Sequence, residues 1–253
     1  MVKLKFPQAD SAVLFSGGLD SAVLLHLVKA QVTKARVAAF FQDFGQESAQ
    51  RQRSFVQATC NRLGIPLHVL DAPHLVDVVL GTEGPPHIMQ TEHAVGGVHI
   101  MGSVGGKMLV ATIAMRLGYT HIYHGLTASD SLRWPGIDQL ARLKAENALL
   151  AASSAKPIAV SSEPFLENGL SDSDVVELGL SEGVDVTATW SCLWGNRFHC
   201  GQCASCLKRK RVFKGLKTTD KTEYLSTQQD FTTRFLEPKV EAQKPKGTSK
   251  KSR

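Results

Sequence analysis

The first half of the chain alternates short apolar runs with segments of helical periodicity. Apolar runs bounded by glycine, proline or polar residues predict buried strands, and apolar side chains spaced three and four apart predict helices. The predicted strands cover residues 12–15, 36–44 and 66–72, and the predicted helices cover residues 21–30 and 47–63. We expect the second helix to end at Gly64, because glycine readily adopts the left-handed conformation that closes helices.

The same alternation continues in the second half. A helix is predicted over residues 107–117, a strand over 120–125, a polar helix over 139–152 and a strand over 156–160. The stretch 73–106 is rich in Gly, Pro and His, so we expect loops that cover a site. Strands separated by helices predict an α/β fold with a Rossmann-like parallel sheet and right-handed crossovers.

Composition narrows the class of protein. Of the 253 residues, 43% are hydrophobic and 21% are charged, as expected of a packed soluble protein. Five cysteines are too few for a disulfide scaffold. No apolar run approaches the ~20 residues that span a bilayer, and MVKLKFPQAD lacks the apolar core of a signal peptide. We therefore expect a cytoplasmic protein with no membrane partner.

The net charge of +6 is unevenly distributed. From Lys208 to Arg253 there are 14 basic and five acidic residues, whereas the preceding residues carry 15 basic and 18 acidic ones. The basic side chains of such an end can bind the phosphates of a nucleic acid, or the end can be a solubilising tail. Residues 238–253 are predicted to be a disordered basic tail, and the basic run 208–211 could steer an anionic substrate.

A glycine-rich turn follows the first predicted strand, in VLFSGGLDS. Glycines let the backbone approach an anion, and free N–H groups at a helix start point at it. The motif is neither a Walker A loop nor the GxGxxG fingerprint, and an ordinary strand-to-helix turn is the alternative. It resembles the pyrophosphate-binding loop of the N-type ATP pyrophosphatases (the PP-loop superfamily). The residues predicted to bind ATP are Ser16, Gly17, Gly18, Leu19, Asp20 and Ser21. Asp20, a catalytic candidate together with Ser21, is expected to help hold Mg2+, which prefers oxygen ligands.

A cluster of cysteines occurs in SCLWGNRFHCGQCASC: Cys192, Cys200, Cys203 and Cys206. Two overlapping CxxC steps can place four thiolates tetrahedrally around one Zn2+. Because four cysteines leave no open position, the predicted zinc is structural, and an iron–sulfur cluster is the alternative. His199 could replace a ligand, although a complete cysteine set makes that unnecessary. Cys60 lies in a helical segment and is expected to be a buried apolar residue.

The two motifs together resemble the 7-cyano-7-deazaguanine synthase family (the QueC family). The resemblance covers roughly residues 10–214 and is most specific in TWSCLWGNRFHCGQCASCLKRKRVF. Asp43, Gly45 and Gln46 match a family motif after the second strand, which implies that Asp43 helps to bind ATP.

The resemblance also implies an architecture and a reaction. It implies a sheet of the adenine nucleotide alpha hydrolase type over residues 1–188, followed over residues 189–225 by a zinc-binding segment and C-terminal helix. Members of the family use ATP and ammonia to convert a 7-carboxy-7-deazaguanine to the nitrile. The carboxylate is adenylated, ammonia or another amine displaces AMP, and a second activation dehydrates the amide. The implied cofactors are ATP, Mg2+ and structural Zn2+, and the implied assembly is a homodimer.

Departures from the family pattern fall on its acceptor site. Ser48 and Arg51 stand where the family has His and Glu, and Met101-Gly102-Ser103 replaces a GRN-like triplet. Gly136 replaces an acid, whereas Asp130 matches and is a catalytic candidate. Changing the charged groups of a pocket changes what it can pair, so we expect adenylation with an altered acceptor or product.

Two other sets of residues invite a functional interpretation. Lys107 follows two glycines at a helix start and is a catalytic candidate that could reach a phosphate, the alternative being a solvated helix end. His87, His93 and His99 share one loop-rich stretch, but their irregular spacing disfavours a metal site.

The leading functional hypothesis is an ATP-dependent C–N ligase of the 7-cyano-7-deazaguanine synthase type. The first alternative is a repurposed relative that conjugates a deazaguanine group to a protein or nucleic acid, as QueC-like proteins of anti-phage defence systems would. A tRNA thiolation enzyme is a second alternative, but it would need a persulfide-carrying cysteine, for which only Cys60 is spare. A non-catalytic zinc and nucleic-acid binding module is the third, and failure to bind ATP would favour it.

Overall fold

Five parallel strands form a sheet in the order β3-β2-β1-β4-β5. The structure is a computed structural model that describes residues 4–72, 106–133, 138–153, 160–216 and 218–225. The strands are β1 (Ser11–Leu14), β2 (Val37–Asp43), β3 (Leu67–Asp71), β4 (His121–Tyr123) and β5 (Val160–Ser162). β1 is central, with Val13 aligned to Ala39 of β2 and to Tyr123 of β4.

Helices connect and cover these strands. They are α1 (Leu19–Gln31), α2 (Ala49–Leu63), α3 (Gly106–Arg116), α4 (Ala128–Arg133), α5 (Gln139–Ala152), α6 (Pro164–Glu167), α7 (Asp172–Ser181) and α8 (Ala204–Gly215). α2 ends at Gly64, whose left-handed φ of 62° lets its N–H reach carbonyls of the last turn. α7 begins with a capping box between Ser171 and Asp174. Within the described ranges, no helix is long and apolar enough to cross a membrane.

Both faces of the sheet are buried, as a parallel sheet requires. Val13 of β1 belongs to the core that α1 and α7 cover, whereas Ala12 and Leu14 belong to the core that α3 and α5 cover. Successive side chains of a strand point to opposite faces. The strands therefore need near-continuous apolar runs, and these runs are the signal that the sequence carries.

The strand order creates a crevice between the carboxyl ends of β1 and β4. β2 and β3 lie on one side of β1, and β4 and β5 lie on the other, so the crossovers leave β1 in opposite directions. Open parallel sheets bind ligands at such a point, outside the carboxyl ends of the strands. The glycine-rich turn Ser16–Ser21 follows β1 at this crevice, and Gly125 lies just beyond the end of β4.

Most of the predicted elements are confirmed. β1, β2 and β3 lie within one residue of their predicted bounds, and α5 has the predicted bounds. The strand predicted over residues 156–160 ends two residues too early, because β5 extends to Ser162, and residues 154–159 lie outside the described residues. The four-residue α6 and the six-residue α4 are too short for periodicity to reveal. The predicted loops over residues 73–105 and the predicted tail over residues 238–253 lie outside the described residues.

Gly179 lets α7 approach α1, the helix that follows the glycine-rich turn. A Cβ at Gly179 would lie 2.5 Å from Cγ2 of the fully buried Val23. We expect Gly179→Ala to lower the free energy of unfolding by about 1–3 kcal/mol, since overpacking outweighs the helix propensity of alanine. Gly215→Ala in α8 is the matched control, because a Cβ there meets nothing within 4 Å. Urea unfolding measures both, and equal stability of the two variants would contradict the close packing.

Candidate functional site

The turn between β1 and α1 is a folded loop, here called the phosphate loop (Ser16–Ser21). The Ser16 and Ser21 hydroxyl oxygens lie 3.1 Å apart, and the Gly18 N–H donates to Ser16 Oγ over 3.3 Å. Gly18 is the N-cap of α1 and makes no side-chain capping bond. The first N–H groups of a helix have no acceptor within the helix, so the first turn of α1 can bind an anion such as a phosphate.

Two close backbone approaches fix this loop in the crevice. A Cβ at Gly17, whose φ is 81°, would lie 3.2 Å from the Val56 side chain and 3.3 Å from the Gln52 carbonyl of α2. On the other side, a Cβ at Gly125 would lie 3.1 Å from the Ser21 nitrogen. The loop is therefore packed between α2 and the end of β4, and a side chain at either glycine would crowd it.

Three carboxylates from separate helices meet beside the phosphate loop. This carboxylate cluster consists of Asp20 of α1, Asp130 of α4 and Asp172 of α7, with one oxygen of each within 4.8 Å of the others. Lys208 of α8 enters the cluster, and its Nζ lies 2.9 Å from Asp20, 2.7 Å from Asp172 and 3.8 Å from Asp130. The Thr127 hydroxyl donates to Asp172 over 2.7 Å. The three side chains offer carboxylate oxygens, which are the ligands that a divalent cation such as Mg2+ prefers.

The protonation of the cluster follows from its burial and its charges. Burial raises the pKa of Asp20, Lys208 opposes that effect, and the charges of Asp130 and Asp172 add to it. Burial works against the charge on Lys208, yet the three carboxylates raise its pKa above the ordinary value. Lys208 is therefore cationic at neutral pH, and a further cation would favour the ionised form of Asp20.

The four cysteines predicted to bind metal come together in space. The Sγ atoms of Cys192, Cys200, Cys203 and Cys206 lie within 4.8 Å of one another, and all four residues are buried. The backbone N–H groups of Trp194 and Cys200 donate to Cys192 Sγ over 3.4 and 3.3 Å, and the Cys203 N–H donates to Cys200 Sγ over 3.2 Å. Hydrogen bonds of this kind stabilise thiolates, the form that binds metals.

The donor set fits a four-coordinate metal. Hydrogen bonds with neighbouring sulfurs, that with Cys192 first, lower the pKa of Cys200. Sites of four cysteines hold Zn2+ tetrahedrally with Zn–S bonds of ~2.3 Å, and a cubane iron–sulfur cluster uses the same ligands. His199 is not needed as a ligand, because its Nε2 accepts the Ser191 N–H over 3.1 Å.

Arg209 ties the cysteine segment (residues 189–206) to α8. Its guanidinium is fully buried, donates to the Thr189 hydroxyl over 2.8 Å and pairs with Asp220 at 3.2 Å. The neighbouring Trp190 donates its backbone N–H to the Gly17 carbonyl over 2.7 Å. The cysteine segment therefore contacts the phosphate loop directly.

Comparison with known families matches residues 10–217 to the family described as queuosine biosynthesis protein QueC. The chain belongs to the QueC family. The 7-cyano-7-deazaguanine synthase 1 of Sulfurisphaera tokodaii is 28% identical over 216 residues, which cover 85% of this chain and 97% of that protein. The 7-cyano-7-deazaguanine synthase of Nitratiruptor sp. is 27% identical, with 86% of this chain and 99% of that protein covered.

A solved structure resembles the fold more distantly. The U34-tRNA thiolase NcsA from Methanococcus maripaludis, with its [4Fe-4S] cluster, aligns over 82% of this chain and 65% of its own. The TM-score is 0.47 and the sequence identity is 14%. The iron–sulfur cluster belongs to that thiolase. The chain described here belongs to the QueC family because of the family match over residues 10–217.

The structure places several predicted site residues at the carboxyl edge of the sheet. Asp43 ends β2 and accepts the Gly45 N–H over 3.1 Å, and the Gln46 side chain accepts the Phe44 N–H over 2.9 Å. Asp130 joins Asp20 in the carboxylate cluster. The binding and catalytic roles of these residues stay predictions, and their positions are consistent with one shared nucleotide site.

Lys107 lies in a separate, closed cluster of charges. Its Nζ is 2.6 Å from Glu163 and also pairs with Glu146, and Arg142 pairs with the same two carboxylates. The Lys107 side chain is 1% exposed, so the alternative of a solvated helix end is wrong. Two carboxylates already engage its ammonium, and this geometry speaks against the predicted catalytic contact with a phosphate.

The acceptor-site positions are only partly described. Ser48 is the buried N-cap of α2, and Arg51 lies in the first turn of that helix, next to the Gln52 carbonyl that approaches Gly17. The departures at residues 101–103 and 136, and the histidines at 87, 93 and 99, lie outside the described residues.

Sequence reasoning missed Asp172, Lys208 and Gly125. Asp172 sits inside a helix-start signal, SDSD, which masks it, because acids are common there for capping. In the sequence, Lys208 is one of four consecutive basic residues. Nothing in that run shows that the Lys208 side chain points into the carboxylate cluster. Gly125 is the last residue of the strand predicted over residues 120–125, where a glycine is common. Its use becomes visible only in the folded structure, where the Ser21 backbone packs against it.

Removal of the Lys107 ammonium should leave buried carboxylates without their full complement of cations. We expect Lys107→Met to lower the free energy of unfolding by about 3–5 kcal/mol, the cost of breaking a buried ion pair. Lys144→Met, at an exposed position of α5, removes the same charge and should change stability little. Chemical denaturation checks both, and a stable Lys107→Met protein with impaired ATP binding would restore the phosphate role.

The purified protein should contain one zinc ion per chain and show no visible absorption from an iron–sulfur cluster. Cys206→Ser should lose most of the metal, because three ligands hold it less tightly. Cys60→Ala is the control, since Cys60 is buried in the core under α2 rather than near the other sulfurs. Elemental analysis measures all three proteins, and iron with matching sulfide would contradict the zinc assignment.

Proposed function

We propose that this chain is an ATP-dependent C–N ligase. It would adenylate the carboxylate of a 7-carboxy-7-deazaguanine-type substrate and couple it to ammonia, with the nitrile as end product. The observation that carries this proposal is a phosphate loop, Ser16–Ser21, beside a carboxylate cluster at the switch point of a QueC-family sheet. Relatives named 7-cyano-7-deazaguanine synthase are matched over 97% to 99% of their length, which supports it further.

The chemistry follows from activation of a carboxylate, which is otherwise a poor electrophile. N–H groups of the first turn of α1 would hold the ATP phosphates. A carboxylate oxygen of the substrate attacks the α-phosphorus, and pyrophosphate leaves with the electron pair of the broken P–O bond. Ammonia then attacks the acyl carbon, AMP departs and a proton is released, giving the amide. A second ATP activates the amide oxygen, and loss of AMP and a proton gives the nitrile.

Acidic side chains would bind the metal ion that offsets the negative charge of the triphosphate. Asp20, with Asp130 and Asp172 in reach, would hold Mg2+, whose positive charge offsets that of the phosphate oxygens. Asp43, at the end of the neighbouring strand β2, is the proposed contact for another part of ATP. The metal of the four cysteines takes no part in the chemistry, because all of its positions would be filled by sulfur.

The burial of Cys60 weakens the tRNA thiolation alternative. Cys60 is 1% exposed, and burial raises the pKa of its thiol to about 11. A persulfide carrier needs an accessible, ionised thiol. The other four cysteines of the chain form the sulfur cluster.

Arg51 supports a second candidate function, conjugation of the activated deazaguanine to an amine of a protein or nucleic acid. The family carries an acid where Arg51 stands, on the turn of α2 that packs against the phosphate loop. A cation there would repel a small ammonium-like acceptor and favour an acceptor segment with negative charge. Intact-mass analysis of candidate acceptors separates the two functions, since only conjugation adds the deazaguanine mass to a macromolecule.

AMP and pyrophosphate should form only when 7-carboxy-7-deazaguanine is present. Gly17→Ala should lower this activity by at least about tenfold, which corresponds to ~1.4 kcal/mol, because the added Cβ meets Val56 and the Gln52 carbonyl. Gly64→Ala is the matched control: Gly64 has a similar positive φ of 62° but open space around it. Chromatography of nucleotides measures the products. Release of no AMP by the wild-type protein with this substrate and its amide would count against the ligase.

A further inference from the structure

Helix α8 carries a metal ligand and a contact to the nucleotide site within one turn. Cys206 belongs to the sulfur cluster, and Lys208, two residues later, extends to the carboxylate cluster. The Lys208 side chain is 14% exposed, and its Nζ donates to Asp20 over 2.9 Å. Asp20 is the second residue of α1, so this ion pair acts on the helix turn whose N–H groups face the crevice.

The cysteine segment touches the other end of the phosphate loop as well. The Trp190 N–H donates to the Gly17 carbonyl over 2.7 Å. Further along, a Cβ at Gly195 would overlap the Glu47 carbonyl, so the segment also packs against the residues before α2. The part of the chain that the metal would organise therefore contacts the phosphate loop at Gly17 and at Asp20.

Arg209 connects the Lys208 contact and the Trp190 contact. It follows Lys208 in α8, is fully buried, and donates to the Thr189 hydroxyl and to the Val186 carbonyl over 2.8 and 3.0 Å. Thr189 directly precedes Trp190. A displacement of α8 would therefore move both the Lys208 contact and the Trp190 contact.

The sulfur cluster determines where α8 begins. The N-cap of α8 is Cys203, which makes no side-chain capping bond, and Cys206 lies in the first turn. Metal–sulfur bonds would join Cys192 to these two residues across the segment. Without them, buried thiols hold each other only through weak S–H contacts such as the 3.9 Å contact of Cys200 with Cys206.

Lys208 also offsets a repulsion inside the carboxylate cluster. Three carboxylate oxygens within 4.8 Å of one another repel when ionised. The ammonium of Lys208 lies among them, closest to Asp172 and Asp20. The ammonium donates to one oxygen of the Asp20 carboxylate, Oδ2, and so restrains that side chain.

We propose that Lys208 is a positioning residue that holds Asp20 for Mg·ATP, and that the metal on the four cysteines determines the position of Lys208. The inference rests on the proposed function and deepens it, because it makes the structural metal a determinant of nucleotide affinity. Coupling between the affinities of two binding sites is reciprocal, so bound Mg·ATP should also raise the affinity for the metal.

Two measurements test the coupling, and neither depends on turnover. Calorimetry gives the Kd of Mg·ATP for the wild-type protein and for the variants Lys208→Met, Lys208→Arg and Lys214→Met. Equilibrium competition with a chromogenic zinc chelator gives the zinc affinity with and without Mg·ATP. Lys214 lies on the exposed side of the same helix, so its variant removes an equal charge without touching the carboxylate cluster.

We expect Lys208→Met to keep its zinc and to bind Mg·ATP at least about tenfold more weakly, a change of ~1.4 kcal/mol. Lys208→Arg should recover part of the affinity, and Lys214→Met should bind as the wild type does. Mg·ATP should raise the zinc affinity of the wild-type protein and lose this effect in Lys208→Met.

The inference is overturned if zinc-loaded Lys208→Met binds Mg·ATP as tightly as the wild type or more tightly. It is also overturned if Mg·ATP leaves the zinc affinity of the wild-type protein unchanged. A wild-type protein that binds no Mg·ATP would remove the proposed function itself, which is a different result from normal wild-type binding with an unaffected variant.

Discussion

β1 pairs with β2 on one side and with β4 on the other. This central position determines where the phosphate loop, the carboxylate cluster and the cysteine segment come together. The strand order reverses at β1, so the loop that follows it opens into the crevice beside β4. Short backbone approaches at Gly17 and Gly125 then fix that loop between α2 and the end of β4. The first N–H groups of α1, the carboxylate cluster and the cysteine segment therefore meet beyond the carboxyl end of β1.

Two clusters of charge at this end of the sheet differ in their exposure. Around Lys107, Arg142 also pairs with both carboxylates, and His124 contacts Glu163. Burial of Lys107, Glu146 and Glu163 is nearly complete. Beside Asp20, the Lys208 ammonium meets three carboxylates and the side chains keep some exposure. Buried ion pairs can specify a fold, whereas carboxylates that stay partly exposed at a crevice can bind a cation.

The cysteine segment packs against the phosphate loop rather than standing apart as a separate module. Trp190 donates a hydrogen bond to the phosphate loop, and Lys208 reaches the carboxylate cluster from the helix that carries Cys206. The division of this segment from the sheet at residues 188 and 189 stays a prediction. In the proposed coupling, a metal on the four cysteines would influence ATP binding without touching ATP, because metal–sulfur bonds would hold α8 and α8 carries Lys208.

The α/β class, the first three strands to within one residue, the glycine-rich turn and the four clustered cysteines could all be predicted from the sequence. These features are encoded locally, in apolar runs, in SGGLDS and in CxxC spacing. The folded structure was needed to show that Asp172 and Lys208, 152 and 188 residues after Asp20, meet at its carboxylate. It also places Lys107 in ion pairs with distant acids, an arrangement that neither the predicted phosphate contact nor the alternative of a solvated helix end describes. Contacts between residues so far apart depend on how helices pack on the sheet, and no local pattern records that packing.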